Sequence, residues 1–336
     1  MRRIIVLLLS AVLICLCSCE LTVNAPGPGK MHILVYGNDY RYGTYEGKNP
    51  QTGKDRYAFT AYYAGGERAG SGHSLEGTVN DAYQVGLALC ALAAKAGYEY
   101  DATFILGTES KSVADPNAHV INDVSKAEFL SVLDGIASES ENSDITLVYF
   151  SGHGFGSESK AAYGTDTSET SYLALRRDAY SVILYPVSDF LSRMELIKGT
   201  KVIIGDFCHS GGLVRPGNVS ITAGEYDGID SITLLREYGD GISESSSLFC
   251  LSAARYYERS HEPGDGSHGY FTRALLEGLG WNEESQTLGR AKAMVDNRIT
   301  LFNLAKYAKD NDREKSGDPQ NPMTSGGSND IILFSF

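Results

Sequence analysis

The chain has 336 residues, enough for one large domain or two small ones. Apolar residues make up 42% of it and charged residues 21%, proportions that exclude a disordered polar chain. The formal net charge of −13 argues against nucleic acid as a partner, since general nucleic-acid binding requires a basic surface. An acidic surface suits either plain solubility or the attraction of cationic peptides.

Residues 1–18 have the pattern of a bacterial lipoprotein signal peptide. A positive start precedes the apolar stretch Ile4–Leu16, which has signal-peptide length and is too short for a comfortable membrane span. The stretch ends in Leu16-Cys17-Ser18-Cys19, which resembles a lipobox, where the last cysteine receives a lipid after cleavage before it. We therefore expect lipidation of Cys19, a tether over residues 19–30, and attachment to the bacterial cell envelope on its periplasmic or outer face. An ordinary secretory signal or an uncleaved anchor is the alternative.

Cysteine usage points to a free thiol. Apart from the lipidated Cys19, only Cys90, Cys208 and Cys250 remain in the mature domain, and an odd number in an oxidising compartment does not form a disulfide framework. Cys90 and Cys250 lie in apolar runs, which is typical of small buried residues. Cys208 alone has polar and glycine neighbours, so it is the candidate reactive thiol.

From residue 31 onward, short apolar runs alternate with amphipathic segments. Alternation of this kind predicts an α/β fold, with a mainly parallel sheet of about six strands and helices on both faces. The predicted strands are Met31–Tyr36, Thr103–Leu106, Asp144–Phe150, Lys201–Phe207, Ser247–Ser252 and Asn329–Phe334. The predicted helices are Gly77–Gly97, Phe129–Ala137, Asp189–Ile197, Gly269–Leu279 and Leu288–Leu304.

Two long segments fall outside this alternation. Arg41–His73 is rich in glycine, tyrosine and polar residues, and we expect it to be an insertion with a hairpin over Tyr57–Tyr63. Pro216–Ser247 is an acidic segment containing glycine and serine. Loops of such length are uncommon unless they serve a function, so the first is expected to form a lid or a wall of the substrate-binding site.

Two chemically active side chains follow strands of the predicted sheet. His153 comes after Asp144–Phe150, and Cys208 comes after Lys201–Phe207. Because parallel strands end at one edge of the sheet, we expect the two residues to lie side by side. A cysteine beside a histidine is a nucleophile with its proton partner, and backbone N–H groups of Gly154 and Cys208 are expected to bind the negative oxygen formed on the attacked carbonyl.

Three other interpretations of this region were weighed. His153 and Cys208 could be structural, although their joint position and flanking glycines disfavour that. A zinc site formed with His209 lacks the ligand spacings that mark dedicated zinc sites, and His209 is expected to be structural because its side chain points away from that of Cys208. A serine hydrolase built on Ser210 lacks the Gly-x-Ser-x-Gly turn of such enzymes.

Two of these segments resemble the motifs of a known family. Tyr149–Gly154 and Asp206–Gly212 are similar to the histidine and cysteine motifs of metacaspases and their bacterial relatives, and Leu75–Ala82 is similar to their Gly-x-x-Asn-Asp-Ala segment. His268–Thr272 and Gln320–Pro322 resemble later landmarks of the family. The resemblance extends over residues 31–336. It implies a single caspase-like peptidase domain, a Cys208–His153 dyad and hydrolysis of peptide bonds.

The same resemblance implies a specificity. Asp81 and Asp206 match the two metacaspase aspartates that line the pocket for a basic residue, so the expected partner is a peptide or protein with Arg or Lys at the cleaved bond. Two carboxylates suit Arg better than Lys and would repel Asp. The alternative for Asp81 is that it only caps a helix.

Calcium dependence is left open by the sequence. Metacaspases often require calcium, but Asp166, Glu169, Asp178 and Asp189 form no cluster that matches a known site.

Self-processing and catalytic competence are two further questions. Arg236, in the acidic segment, is the better candidate for self-cleavage because Arg215 precedes a proline. A catalytically idle, lipid-anchored binding protein of caspase-like fold is the alternative function, since a fold does not guarantee activity.

Overall fold

The computed structural model describes residues 29–108, 111–156, 171–214, 247–312, 320–325 and 331–336. Cys19, Asp166, Glu169 and Arg236 lie outside these residues. None of the helices within them is both long enough and apolar enough to cross a membrane.

A seven-stranded sheet occupies the centre of the molecule, and it confirms the predicted α/β fold. Neighbouring strands are parallel except for one antiparallel pair at an edge, Met323–Thr324 against Leu248–Ser252. The central strands read as continuous apolar runs because both of their faces are buried. In spatial order the strands are β16 (Met323–Thr324), β12 (Leu248–Ser252), β11 (Thr200–Asp206), β7 (Ile145–Ser151), β1 (Met31–Gly37), β5 (Tyr100–Leu106) and β6 (Ala118–Asn122).

Helices cover both faces of this sheet, as the sequence predicts. The helices are α1 (Thr78–Lys95), α2 (Lys126–Glu139), α3 (Val187–Met194), α4 (Tyr270–Leu279) and α5 (Leu301–Asn311). Side chains of α1, α4 and α5 share one core with alternate residues of β1, and those of α2 and α3 share the other. The predicted capping box of α2 is present, with Ser125 and Glu128 each bonded to the other's backbone N–H.

The insertion Arg41–His73 contributes to a second sheet, which the sequence did not predict. Tyr57–Tyr63 is not a hairpin, because residues 55–62 form one strand with a partner on each side. The sheet buries Tyr40, Phe59 and Leu184 in a small core of its own. Its strands are β2 (Thr44–Lys48), β3 (Asp55–Tyr62), β4 (Arg68–His73), β8 (Gly154–Gly156), β9 (Ser171–Arg176) and β10 (Ser181–Pro186).

The C-terminal part of the domain differs from the predicted elements. A helix over Leu288–Leu304 is wrong, because α5 begins only at Leu301, with Thr300 as its cap. Asp296 and Asn297 have φ of 48° and 58°, left-handed values that no helix accommodates. The short strands here are β13 (Trp281–Asn282), β14 (Thr287–Leu288), β15 (Arg298–Thr300) and β17 (Ile332–Ser335); β17 corresponds to the predicted last strand but pairs with β15.

Candidate active site

The candidate site lies at the carboxyl edge of the central sheet. The register pairs Asp206 of β11 with Ser151 of β7, so the two strands end level with each other. His153 and Cys208 each follow two residues later, and both line one cavity of about 230 Å³. Asp81 and Asp206 line the same cavity. The structure therefore brings together all four side chains that the sequence singled out.

The loops that carry His153 and Cys208 touch through their backbones. Gly152 N donates a hydrogen bond to Asp206 O over 3.2 Å. A Cβ atom at Gly154 would lie only 1.9 Å from Cys208 O, a distance that no side chain tolerates. The glycine after the histidine is therefore required for the two loops to pack this closely.

Hydrogen bonds hold His153 in place through both its backbone N–H and its imidazole ring. Its backbone N–H donates to the buried Tyr40 hydroxyl over 2.8 Å, and that hydroxyl donates to Ala174 O over 3.0 Å. Nε2 lies 2.7 Å from His73 O, the last residue of β4. Because a carbonyl oxygen only accepts, Nε2 carries the proton and Nδ1 of the neutral ring is left as a base. Burial lowers the pKa of His153 to about 4, so the ring is neutral at pH 7.

Burial favours the neutral thiol form of Cys208 over the thiolate. Sγ donates to Ser260 O over 3.5 Å, and burial raises the pKa of Cys208 to about 11. The chain turns sharply at His209, whose φ is 63°. His209 is buried, and its Nδ1 donates to Tyr256 O over 2.8 Å, so it stabilises the turn rather than lining the cavity.

Asp81 is held by donors on both of its carboxylate oxygens. Oδ2 accepts from Ser151 Oγ at 2.9 Å, and Oδ1 accepts from His268 Nδ1 at 2.7 Å and Gly269 N at 3.3 Å. Gly77, not Asp81, is the N-cap of α1, so the helix-capping interpretation is wrong. Burial alone would lower the pKa of His268, but Asp81 and then Glu283 outweigh it and raise that pKa, which favours an imidazolium beside Asp81.

Asp206 is held in a similar way by two other residues. Oδ1 accepts from Ser260 Oγ, and Oδ2 accepts from Thr272 Oγ1 at 2.5 Å and from Thr272 N at 3.3 Å. Burial and the charge of Asp81 raise the pKa of Asp206 to about 6, against the effect of these hydrogen bonds. Both aspartates are therefore fixed in position before any ligand binds.

Sequence reasoning missed a third segment of the cavity wall. Ser260, His261 and Glu262 line the cavity from the loop between β12 and α4. The backbone of Ser260 accepts the thiol hydrogen, while its hydroxyl donates to Asp206. This loop has neither a strand nor a helix pattern. Ser260 is 52 residues from Cys208 in the sequence, so no local sequence pattern predicts that the loop lines the cavity.

The residues that the structure describes form no candidate metal site. They contain no group of three or more His, Cys, Asp or Glu side chains that could hold a metal ion. Of the acidic residues weighed for calcium, Asp178 lies in the turn between β9 and β10 and Asp189 lies in α3.

The chain has similarity to known proteins at the level of a family model and of solved structures. The family model for the caspase domain matches residues 60–326. Protein GSU0716 from Geobacter sulfurreducens is similar in structure, with a TM-score of 0.44 and 13% identity over 89% of this chain and 94% of that chain. Caspase-1 from Spodoptera frugiperda has the same TM-score and identity, over 89% of this chain and 86% of its own. No match was found among the curated proteins.

Proposed function

Because the chain belongs to the caspase-domain family, we propose that it is a cysteine endopeptidase with Cys208 as the nucleophile and His153 as its proton partner. Members of this family are cysteine endopeptidases that act on peptides or proteins. The observation that carries the proposal is the shared cavity, which a thiol, an imidazole with an unprotonated Nδ1 and two carboxylates all line.

The proposed reaction starts from a neutral thiol and a neutral imidazole. When a peptide carbonyl enters the cavity, Nδ1 of His153 accepts the thiol proton as Sγ of Cys208 attacks the carbonyl carbon. The proton then passes to the leaving amine, and the C–N bond breaks to give a thioester. Water hydrolyses the thioester, with His153 acting as the base.

The oxyanion donors in this proposal are the backbone N–H groups of Gly154 and Cys208. The pairing of β8 with β9 supports the role of the Gly154 N–H. Ala174 N donates to His153 O, and Gly154 lies opposite Leu173. Bonding alternates along an antiparallel pair, so the N–H of Gly154 faces away from β9. In this proposal it binds the oxygen of a tetrahedral intermediate.

We propose further that the residue before the cleaved bond is Arg or Lys. Asp81 and Asp206 are fixed carboxylates in the cavity, and a guanidinium can meet carboxylates through paired, charge-assisted hydrogen bonds. Arg is therefore preferred over Lys, and an Asp substrate is repelled. The enzyme is attached to the cell envelope by a lipid on Cys19 in this proposal.

The test uses the purified mature protein and four fluorogenic peptides that differ only in the residue before the cleaved bond: Arg, Lys, Asp and citrulline, the neutral analogue of arginine. We expect cleavage in the order Arg, Lys, then the others, measured with and without calcium. Cys208→Ala and His153→Ala should each lower kcat/KM by about 10⁴-fold or more.

Matched controls are Cys90→Ala, at a buried thiol outside the cavity, and His119→Ala, at an exposed histidine on β6. Both should keep the activity of the folded protein. Retained activity in Cys208→Ala would eliminate the dyad, and preference for Asp would eliminate the basic specificity. Failure of every peptide with the folded protein would favour the idle binding protein.

A further inference from the structure

His153 and Ala174 lie opposite each other where the second sheet begins. The register is antiparallel, since Gly154 of β8 pairs with Leu173 of β9 one residue further along. At every second position of such a pair, two opposed residues exchange two backbone hydrogen bonds. One of the two is direct here, because Ala174 N donates to His153 O over 3.1 Å.

The hydroxyl of Tyr40 occupies the place of the second hydrogen bond. It accepts from His153 N over 2.8 Å and donates to Ala174 O over 3.0 Å. A tyrosine hydroxyl can accept and donate at once, and burial holds the pKa of Tyr40 well above its ordinary value, so the proton is retained. An oxygen atom is therefore inserted between the two backbones at the position of the histidine.

Tyr40 has a backbone conformation that a bulky residue rarely adopts. Its φ of 53° is left-handed, and Asn38 Oδ1 supports the turn by accepting from Tyr40 N over 2.9 Å. The side chain is fully buried. Strained residues of this kind persist where the surrounding structure fixes them, and they cluster at functional sites. A glycine would suit this backbone better, but it would lack the hydroxyl that reaches His153.

The aromatic ring of Tyr40 also packs against the imidazole. The ring centroids of Tyr40 and His153 are 4.7 Å apart, and Phe59 lies 5.2 Å from the first and 5.3 Å from the second. A Cβ atom at Gly152 would lie 2.6 Å from the Tyr40 hydroxyl oxygen. The glycine before the histidine therefore leaves the space that this hydroxyl occupies.

We propose that Tyr40 is a positioning residue, whose hydroxyl, inserted between His153 and Ala174, directs the imidazole toward Cys208. This inference rests on the proposed function. The inserted oxygen sets where the histidine backbone lies, and so keeps Nε2 within reach of His73 O and leaves Nδ1 as the base. Tyr40 is not among the described residues that line the cavity, so it acts through His153 and not on the substrate.

The test is Tyr40→Phe, which removes one oxygen atom and keeps the ring. His153 N–H and Ala174 C=O then either lose their partner or close on each other, and both changes displace the imidazole. A displacement of about 1 Å in a catalytic group costs roughly 100-fold in rate. We expect kcat for the Arg peptide to fall about 100-fold and KM to stay within about twofold of wild type.

Tyr42→Phe is the matched control. Tyr42 is buried in the same small core as Tyr40, but its hydroxyl accepts from Asn38 Nδ2 over 3.0 Å. This variant should keep the kcat of the wild type, even where its Tm falls as much as that of Tyr40→Phe.

A second measurement reports on the imidazole itself and does not require activity. In ¹⁵N NMR spectra of histidine-labelled protein, the ring of His153 is assigned by its loss in His153→Ala. We expect the Nε2-protonated form in the wild type and in Tyr42→Phe, and a mixture of the two neutral forms in Tyr40→Phe, where Nε2 is no longer held at His73 O.

Three results would overturn the inference: an unchanged kcat in Tyr40→Phe, an equal loss of kcat in Tyr42→Phe, or a His153 ring in Tyr40→Phe that keeps the wild-type form. If Tyr40→Phe does not fold, Gly152→Ala displaces the hydroxyl in a chain that keeps Tyr40; a mixed ring signal supports the inference and an unchanged one overturns it. Wild-type protein that cleaves no peptide would overturn the proposed function, and the ring signals alone would then decide the inference.

Discussion

At the residue scale, burial sets the charge state of the candidate dyad. Burial disfavours the thiolate of Cys208 and the imidazolium of His153, so one pKa is raised to about 11 and the other is lowered to about 4. The free protein therefore holds a neutral pair at pH 7. We expect alkylation of Cys208 by iodoacetamide to be slow at pH 7 and to accelerate up to about pH 11, as followed by mass spectrometry of the modified peptide.

The same experiment on His153→Ala tests the physical cause. Burial is the largest effect on the thiol, so the alkylation profile should stay alkaline without the imidazole. Cys208→Ala identifies any background from the buried Cys90 and Cys250. A plateau of rapid alkylation between pH 4 and 8 would indicate a thiolate–imidazolium pair and contradict the neutral one.

At the element scale, catalysis depends on how closely the loops after β7 and β11 approach. A methyl group at Gly154 would lie 1.9 Å from Cys208 O, so Gly154→Ala must separate the two loops. A displacement of about 1 Å in a catalytic group costs roughly 100-fold in rate. We expect kcat/KM of Gly154→Ala to fall about 100-fold and Tm to fall as well, measured by peptide cleavage and thermal unfolding.

Gly135→Ala provides the matched control for that substitution. Gly135 is exposed within α2, and a methyl group there meets nothing within 4 Å. Alanine should stabilise the helix by about 0.5–1 kcal/mol and leave cleavage unchanged. Equal activity of Gly154→Ala and Gly135→Ala would show that the loops tolerate separation.

At the scale of the whole molecule, Lys30, the last residue of the tether, and the candidate site lie at opposite edges of the sheet. Lys30 N donates to Asp144 Oδ1 over 2.9 Å, and Ile145 N donates to Lys30 O over 3.0 Å, so Lys30 lies at the amino ends of β1 and β7. His153 follows the carboxyl end of β7, about 20 Å away for a strand of this length.

Cys19→Ser should therefore separate location from activity. We expect the variant to leave the membrane fraction while kcat/KM for small peptides stays within about twofold of wild type, since Lys30, where the tether ends, lies at the edge of the sheet opposite the cavity. Cys17→Ser keeps a small residue in the lipobox and should remain membrane-bound. Unchanged membrane partition of Cys19→Ser would mean that the chain is held there by another segment.

The sequence by itself determined the central architecture and the edge at which the candidate site lies. Continuous apolar runs predicted the strands that lead to His153 and Cys208, and parallel pairing placed the two at one edge, where they line a common cavity. The Ser125–Glu128 capping box could also be predicted from the sequence, because it depends only on residues three positions apart. Such local patterns are determined by backbone geometry and side-chain periodicity.

Only the tertiary structure decided the rest of the site. The carbonyl of His73, which fixes the tautomer of His153, comes from a glycine-rich insertion whose strands have little apolar periodicity. Ser260 and Glu262 enter the cavity from a loop with no regular pattern. These contacts join residues tens of positions apart, and their geometry depends on how two sheets and the β12–α4 loop pack. No short stretch of sequence records that packing, because its energy comes from surfaces that meet only in the folded chain.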